Sequence, residues 1–338
     1  MMNAPAEMLE LITGAWKTQV VHAFAALSVA EALDAAPLPP DQLARRLGAD
    51  ADALTRLLRA GAALGLVRCD AEGRYAGSPL LDTLRASGPG SLRAYAMAVA
   101  MPGHWLPWGR AVDAVRSGAR QTAVTLGGEL WDHYSTEPDE AAVFSAGMSA
   151  LTNLVAADAA RLVDTAGTRV AVDLGGASGT LVRALMAANP ALEGVVLDLP
   201  HVVDDARAAA DMQGLGTRLR AVAGDFFAPL PDADLYLLKH ILHDWDDASC
   251  ARILRNCRDG LVAGGRVAVI ELALPDAGDA AAAGSFASLM DLTMLMLTPG
   301  RERTLAEYEA LFAAAGLALR KVTPMPATAM LIMEAGHA

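Results

Sequence analysis

Val170-Ala171-Val172-Asp173-Leu174-Gly175-Gly176-Ala177-Ser178-Gly179 is an apolar strand that runs straight into glycines, and a helical pattern begins at about Thr180. Glycine there lets a ligand press against backbone that a Cβ would block, as at the first turn of a doubly wound α/β sheet. About twenty residues on, Leu197-Asp198-Leu199-Pro200 ends the next strand with an acid, the spacing at which a carboxylate accepts from ribose hydroxyls. A third strand, Leu219 to Ala223, stops at Gly224-Asp225-Phe226-Phe227 and sets an acid and a ring at its terminus. Ligands of open α/β sheets bind outside those carboxyl ends. Asp198 therefore reads as a ribose acceptor, Asp225 as a partner for an adenine amine and Phe226 as the cover of the ring. An N-cap role for Asp225 ahead of a core Phe226 stays open beside this.

NAD, FAD and S-adenosylmethionine sites all use a Gly-rich turn. The spacing Gly175-Gly176-Ala177-Ser178-Gly179 departs from the Gly-x-Gly-x-x-Gly pattern that seats a pyrophosphate on a helix N-terminus, and S-adenosylmethionine has no phosphate. Further strands are expected at Gly194–Asp198, Asp234–Leu238 and Arg266–Leu272. Two more near Ala318–Val322 and Ala329–Glu334 make a closing antiparallel hairpin across Pro324-Met325-Pro326.

Leu242-His243-Asp244-Trp245 follows the strand Asp234–Leu238 by a few residues, which puts His243 on the ligand edge. A phenol, with a pKa near 10, is mostly protonated at neutral pH, whereas an imidazole of ordinary pKa about 6.5 is neutral and able to take its proton. A carboxylate on the other ring nitrogen fixes the tautomer and stabilises the imidazolium. Glu271 at a strand end and Glu302 in Gly300-Arg301-Glu302-Arg303 are the candidates. Rival explanations stand beside them. His240 and His243, with Asp244 adjacent, have the spacing of magnesium ligands, but no second acidic cluster completes the coordination. Asp244, Asp246 and Asp247 read as first-turn acids of the next helix. Glu302 reads as a surface partner of Arg301 or Arg303, and Glu271 as a solvated strand-end acid.

On these residues the chain resembles the S-adenosylmethionine-dependent O-methyltransferases of the plant caffeate/chalcone type and their bacterial relatives in antibiotic and pigment biosynthesis. The resemblance covers nearly the whole length. It is most specific at Leu238-Lys239-His240-Ile241-Leu242-His243-Asp244-Trp245, at Glu271-Leu272-Ala273-Leu274-Pro275 and at Pro299-Gly300-Arg301-Glu302-Arg303-Thr304. It implies His243 as general base, Glu271 and Glu302 as the flanking acids, and no metal. It implies S-adenosylmethionine contacts at Gly175, Asp198, Asp225, Phe226 and Lys239, with Gly176 and Leu199 beside them. The implied fold is α/β, a class I methyltransferase with a seven-stranded Rossmann-like sheet behind a mostly helical, winged-helix-like domain that makes an intimate homodimer. The chain departs from the family at Ala177, where a third glycine is usual. The implied reaction is methylation of a phenolic or enolic hydroxyl of an aromatic or polyketide-type metabolite. N- or C-methylation remains open, as does a relative that has turned to hydroxylation or decarboxylation, although retention of His243 argues against loss of methyl transfer.

Composition agrees. At 338 residues and 54% hydrophobic residues the chain can bury a large core. The organisation expected is a dimerisation domain over 1–100, a helical connector over 101–163 and a catalytic domain over 164–338. No apolar run of about twenty residues and no basic leader is read, so a cytoplasmic protein is expected. Cys69, Cys250 and Cys257 are too scattered for a zinc motif and read as reduced, buried thiols. In the first hundred residues, apolar Leu9 to Ala35, a helix opened by Pro39-Pro40-Asp41, a helix capped by Asp50 and a hairpin around Asp70-Ala71-Glu72-Gly73 spell a winged helix. That module invites a DNA-binding or S-adenosylmethionine-sensing regulator. Its nine Lys/Arg against ten Asp/Glu, and the chain's net charge of -12, argue against nucleic acid and anionic membranes. Leu9 to Ala35 carries more apolar residues than one small domain can bury, which points to a homodimer.

Between about Met101 and Val163 lie three of the chain's five Trp. Most aromatics of a helical connector are core, yet ligand pockets are lined chiefly by such residues. Phe144 and Met148 share a helix face. Together with Trp105, with His240, and with Met290, Asp291, Met294 and Leu295 from the helix after Gly284, they are the expected contacts of the methyl acceptor.

Overall fold

The computed structural model describes residues 3–88, 90–200, 202–275, 286–326, 328 and 330–338. Gly284 and Ala329, which bounded two expected elements, lie outside the described residues. The chain divides into two compact units, Met1–His104 with Ala146–Leu151, and Trp105–Ser145 with Thr152–Ala338.

In the first unit the apolar stretch from Leu9 to Ala35 is three helices, Ala4–Ile12, Gly14–Ala26 and Val29–Ala32. The break has a local cause: the Thr13 hydroxyl donates to the Leu9 carbonyl at 2.8 Å, the side-chain competition that disfavours Thr in a helix interior. Ser28 then turns through a left-handed conformation, φ 56°. Helix Pro40–Leu47 follows, then helix Ala51–Ala63, whose first turn is capped by Asp50 Oδ1 accepting from the Ala53 N–H at 2.9 Å. Strands β1 (Val67–Cys69) and β2 (Tyr75–Gly77) form the expected antiparallel hairpin. Phe24, Leu43, Leu54, Leu58, Leu66 and Tyr75 fill the core of this unit.

The second unit is built on β3 (Val170–Leu174), β4 (Glu193–Asp198), β5 (Leu219–Ala223), β6 (Ala233–Lys239), β7 (Leu261–Leu274), β8 (Arg303–Thr304), β9 (Leu317–Pro324) and β10 (Met330–His337). The sheet order is β5-β4-β3-β6-β7-β10-β9. The first five are parallel, and β10 and β9 each run antiparallel to their neighbours. All seven expected strands form, and β10 inserts between β7 and β9. An eighth, unforeseen two-residue strand, β8, lies beside Ala273 and Leu274 of β7.

Successive side chains bury opposite sheet faces, so the strands read as continuous apolar runs. Val172, Leu174, Tyr236, Leu238, Val267 and Val269 enter one core, and Ala171, Leu235, Leu237, Ala268 and Ile270 the other. Helix Pro138–Leu162 is long and apolar enough by length and composition to cross a membrane, where the sequence reading finds no such run. Its Val155 and Ala159 are buried in the sheet core with Ala171 and Leu237 instead.

Helix Thr180–Ala188 approaches the sheet over Gly194, where a Cβ would meet Leu219 Cδ1 and Met186 Sδ at 2.6 Å each. Val182 Cγ2 would lie at 3.1 Å, and all three neighbours are buried, so their side chains must repack to admit a methyl group. Gly194→Ala is expected to lower the denaturant midpoint by the equivalent of about 1–3 kcal/mol at unchanged slope; an unchanged midpoint would show that the helix stands further off the sheet.

Candidate active site

The parallel strands put their carboxyl ends on one edge, and the chain reverses its winding between β3 and β6, where such sheets open a crevice. Gly175 leaves β3 there at φ 62°, and a Cβ on it would lie 2.5 Å from Ile241 Cδ1 and 3.9 Å from Phe226 Cε1. The backbone, an aliphatic side chain and a ring thus form a cradle that only glycine permits. Ala177 keeps the turn in spite of its methyl, at φ 48°. Its N–H donates to Asp198 Oδ2 at 2.8 Å, while Asp198 Oδ1 accepts from the Leu199 N–H at 2.7 Å. Asp198 ends β4 half-buried, and Leu199 beside it is exposed. Asp225 is exposed and its Oδ1 accepts from the Phe227 N–H at 2.8 Å, the turn-capping bond of the blander reading. Phe226 packs edge-on against Trp245 with centroids 5.9 Å apart. Gly176 lies over Asp173, whose carboxyl accepts from the Val182 N–H at 3.3 Å. Burial, aided by the nearby Asp198 charge, pushes Asp173 up to about 7. Sequence reasoning passed over Asp173; its signal was a lone acid in a strand buried on both faces.

Lys239 closes β6, its ammonium 3.3 Å from His240 Nδ1 and pulled down to about 8 by burial. His240 turns the chain at φ 54° and stacks its ring on His243 at 4.9 Å. Burial and the Lys239 charge hold His240 far below the ordinary imidazole value. The turn Leu242–Asp244 follows and buries His243 to 5% exposure. His243 Nδ1 lies 2.7 Å from Glu302 Oε1 and 3.9 Å from Glu271 Oε2. Both glutamates are wholly buried, which overturns the solvated readings of each. Glu271 Oε1 accepts from the Ile241 and Leu242 N–H groups at 2.9 Å each, so β7 grips the backbone of the histidine turn. Asp244 Oδ1 stands 3.7 Å from His243 Nε2. Asp246 and Asp247 are the cap and first-turn acid of helix Asp247–Gly260, as expected, but Asp244 lies outside that helix and faces the imidazole.

The acids change the charge state of the site. Burial is the largest single influence on His243 and favours the neutral ring. Glu271, Asp244 and Glu302 together outweigh it and raise the imidazole to about 10. Where an imidazole of ordinary pKa was expected, the surrounding acids favour the protonated ring. In turn, burial raises Glu271 to about 7 and Asp244 to about 6. The donor atoms of His243, Glu271 and Glu302 lie within 4.8 Å of one another, a set that a cation could use. His240, the second histidine of the rival magnesium reading, stacks on the ring and is outside that group.

Of the expected acceptor contacts, Phe144 and Leu295 join one cluster with Trp131, Tyr134 and Met296, Phe144 stacking on Tyr134 at 4.7 Å. Asp291 Oδ1 accepts from the Glu302 N–H at 2.9 Å, tying helix Phe286–Leu297 to the catalytic turn. Met294 is buried, its sulfur accepting from the Thr298 hydroxyl at 3.7 Å. Met290 is partly buried against the sheet core, Trp105 is half-buried at the start of the second unit, and Met148 belongs to the first unit. A cavity of about 500 Å³, lined by Thr165–Arg169, Ala188, Asn189 and Ala191, lies at the amino ends of β3 and β4, away from all these groups. If the cage sets the charge, Glu302→Gln is expected to lower the His243 pKa, read from its Cε1–H shift by NMR. A titration unmoved by the substitution would contradict the 2.7 Å bond.

Comparison with known proteins gives this arrangement its context. The family models for an O-methyltransferase domain and an O-methyltransferase dimerisation domain match residues 108–318 and 9–87. The chain is 34% identical to a phenazine O-methyltransferase of Lysobacter antibioticus over 331 residues, covering 97% of this chain and 95% of that one. It is 30% identical to a phenazine-1-carboxylate N-methyltransferase of Pseudomonas aeruginosa over 335 residues, covering 99% and 98%. The crystal structure of an O-methyltransferase from neocarzinostatin biosynthesis, in complex with S-adenosylmethionine and 2-hydroxy-5-methyl naphthoic acid, superposes with a TM-score of 0.80 at 35% identity, covering 95% and 96%. The parallel sheet with its glycine turn, the buried His243 cage and the two matched domains together place the chain in the S-adenosylmethionine-dependent O-methyltransferase family.

Proposed function

We propose that the chain methylates a phenolic or enolic hydroxyl of an aromatic or polyketide-type metabolite, with His243 as general base. The observation that carries this is the 2.7 Å bond between His243 Nδ1 and Glu302 Oε1, which leaves Nε2 as the ring's accepting atom once it is neutral. S-adenosylmethionine, when bound, supplies an electrophilic methyl group. The chain's own residues hold the nucleoside, align the acceptor and take its proton. The cradle of Gly175, Ile241 and Phe226 fits a nucleoside, with Gly176, Asp198, Leu199, Asp225 and Lys239 around it. Phe144 and Leu295 supply apolar wall to a planar acceptor, with Trp105, Met290 and Met294 assigned the same role and His240 and Asp291 adding polar contacts. Residues 1–100 are assigned to dimerisation, 101–163 to a connector toward the acceptor and 164–338 to catalysis.

The cage matters for the proton. The acids raise the imidazole toward the range of a phenol, pKa ~10, which lowers the cost of passing the proton between them. Turnover needs the acceptor and imidazole to hold one proton fewer than they do together in acid. kcat/KM is therefore expected to rise with pH toward that shared pKa.

The named relatives act on fused aromatics, and one of them methylates nitrogen. An aromatic ring nitrogen carries no proton to surrender, so dependence on His243 separates the two acceptor types. Labelled S-adenosylmethionine with a panel of phenols and ring-nitrogen heterocycles is the test. His243→Ala is expected to cut kcat and kcat/KM for phenols by ~10²–10⁴-fold while leaving S-adenosylmethionine affinity intact by calorimetry. The defect should shrink for more acidic phenols and at higher pH; an equal loss for every acceptor at every pH would make His243 a positioning group. Turnover in EDTA should persist, and a loss restored by magnesium would turn the His243, Glu271 and Glu302 cluster into a metal centre.

The dimer is proposed from the first unit. Met8, Leu9, Leu11, Ile12 and Trp16 are all more than half exposed on its first two helices, and contiguous apolar surface of that kind marks an interface. Light scattering is expected to give a dimer mass for the native chain and a monomer mass for Trp16→Glu; a native monomer at micromolar concentration would refute the assignment.

A further inference from the structure

Arg303 is the largest fully buried side chain among the described residues. A guanidinium away from water is costly unless every N–H finds an acceptor, and here all five do. Nε donates to Asp247 Oδ1 at 3.0 Å, and Nη2 to the same oxygen at 2.8 Å. Nη1 donates to the Leu242 and Arg301 carbonyls at 2.9 and 3.2 Å, and Nη2 to the Trp245 carbonyl at 2.7 Å. Leu242 and Trp245 bracket His243. Gly300 presses on the same turn from the same segment: a Cβ there would meet His243 O at 1.9 Å and Asp244 C at 2.4 Å. Glu302, between them, takes the imidazole. The reading of Arg303 as an ion-pair partner of Glu302 fails, because its carboxylate partner is Asp247.

We propose that Arg303 is a positioning residue for His243: by clamping the carbonyls on either side of it, with Gly300 as the backing surface, it fixes the imidazole against Glu302. This rests on the reading of His243 as the base. A fork of five donors in one plane is what the task needs; lysine has a single point of charge and cannot reach both carbonyls and Asp247 together. The groups that face His243 are Glu271, Glu302, Asp244 and His240, with Lys239 beyond His240 and Tyr308 near the two glutamates. Of these, Tyr308 also feels the Arg303 charge, which lowers it, so Arg303→Lys, which keeps that charge, is the cleaner variant.

The test is Arg303→Lys and Arg303→Met, with NMR titration of the His243 ring, kcat, and S-adenosylmethionine affinity by calorimetry. Two causes act on the imidazole with opposite sign. Removing a neighbouring cation by Arg303→Met raises its pKa through charge alone, whereas loosening the bond to Glu302 lowers it. A lowered His243 pKa in both variants, a fall in kcat on the order of 10²-fold and an unchanged S-adenosylmethionine affinity are expected. A raised or unmoved titration, or wild-type kcat in Arg303→Lys, overturns the proposal. If Arg303→Met does not fold, Arg303→Lys, which keeps the charge, decides alone. His243→Gln in the same assay separates the two claims: if it retains turnover on phenols the base assignment falls, while the ring titration of the Arg303 variants still judges the clamp.

Discussion

The site depends on the bond between Glu302 and His243 in a region almost closed to water. Two carboxylates and an imidazole at 0–5% exposure would be strongly unfavourable as separate charges. They are tolerable as one set, in which the imidazole stands between the acids; Glu271 Oε2 and Glu302 Oε2 are buried without a hydrogen-bond partner among the described residues, while Glu271 Oε1 meets backbone N–H groups. Glu271 accepts from two of those, and Arg303 satisfies the carbonyls of the same turn. The basicity of the buried imidazole and the integrity of the turn therefore draw on the same contacts, so few substitutions here can change one without the other.

The strand frame was legible in the sequence because strands buried on both faces read as uninterrupted apolar runs, and because glycine and acidic residues mark their carboxyl ends. β3 and β5 were read to the residue. His243, Glu271 and Glu302 were found through a family resemblance; spacing alone left each with a bland alternative. What the sequence hid was pairing between distant segments. A two-residue strand such as β8 has no periodicity to detect, yet it sets Glu302 and Arg303 beside β7. The order β7-β10-β9 is equally invisible, since a hairpin pattern does not say which of its strands docks first.

The two misjudged groups, Asp173 and the charge of His243, share a cause. Side-chain type gives an ordinary pKa, but burial and distant charges set the real one: the carboxylates beside His243 come from Glu271, 28 residues on in sequence (271 − 243), and Glu302, 59 residues on. Asp244 shows the same point in miniature. Next to Asp246 and Asp247 it reads as one more helix-start acid, and only the tight turn at Leu242–Asp244 rotates it toward the imidazole.

The insertion of β10 has a consequence for how the molecule is made. The strand that carries Glu271 is flanked on one side by β6 and on the other by β10, which follows it in the chain only after β8 and β9. Until residues 330–337 emerge, β7 is an open sheet edge of fourteen residues, apolar over much of its length. Such an edge is a template for pairing with another nascent chain. The second unit thus has long-range strand pairing at its centre, a topology that folds slowly.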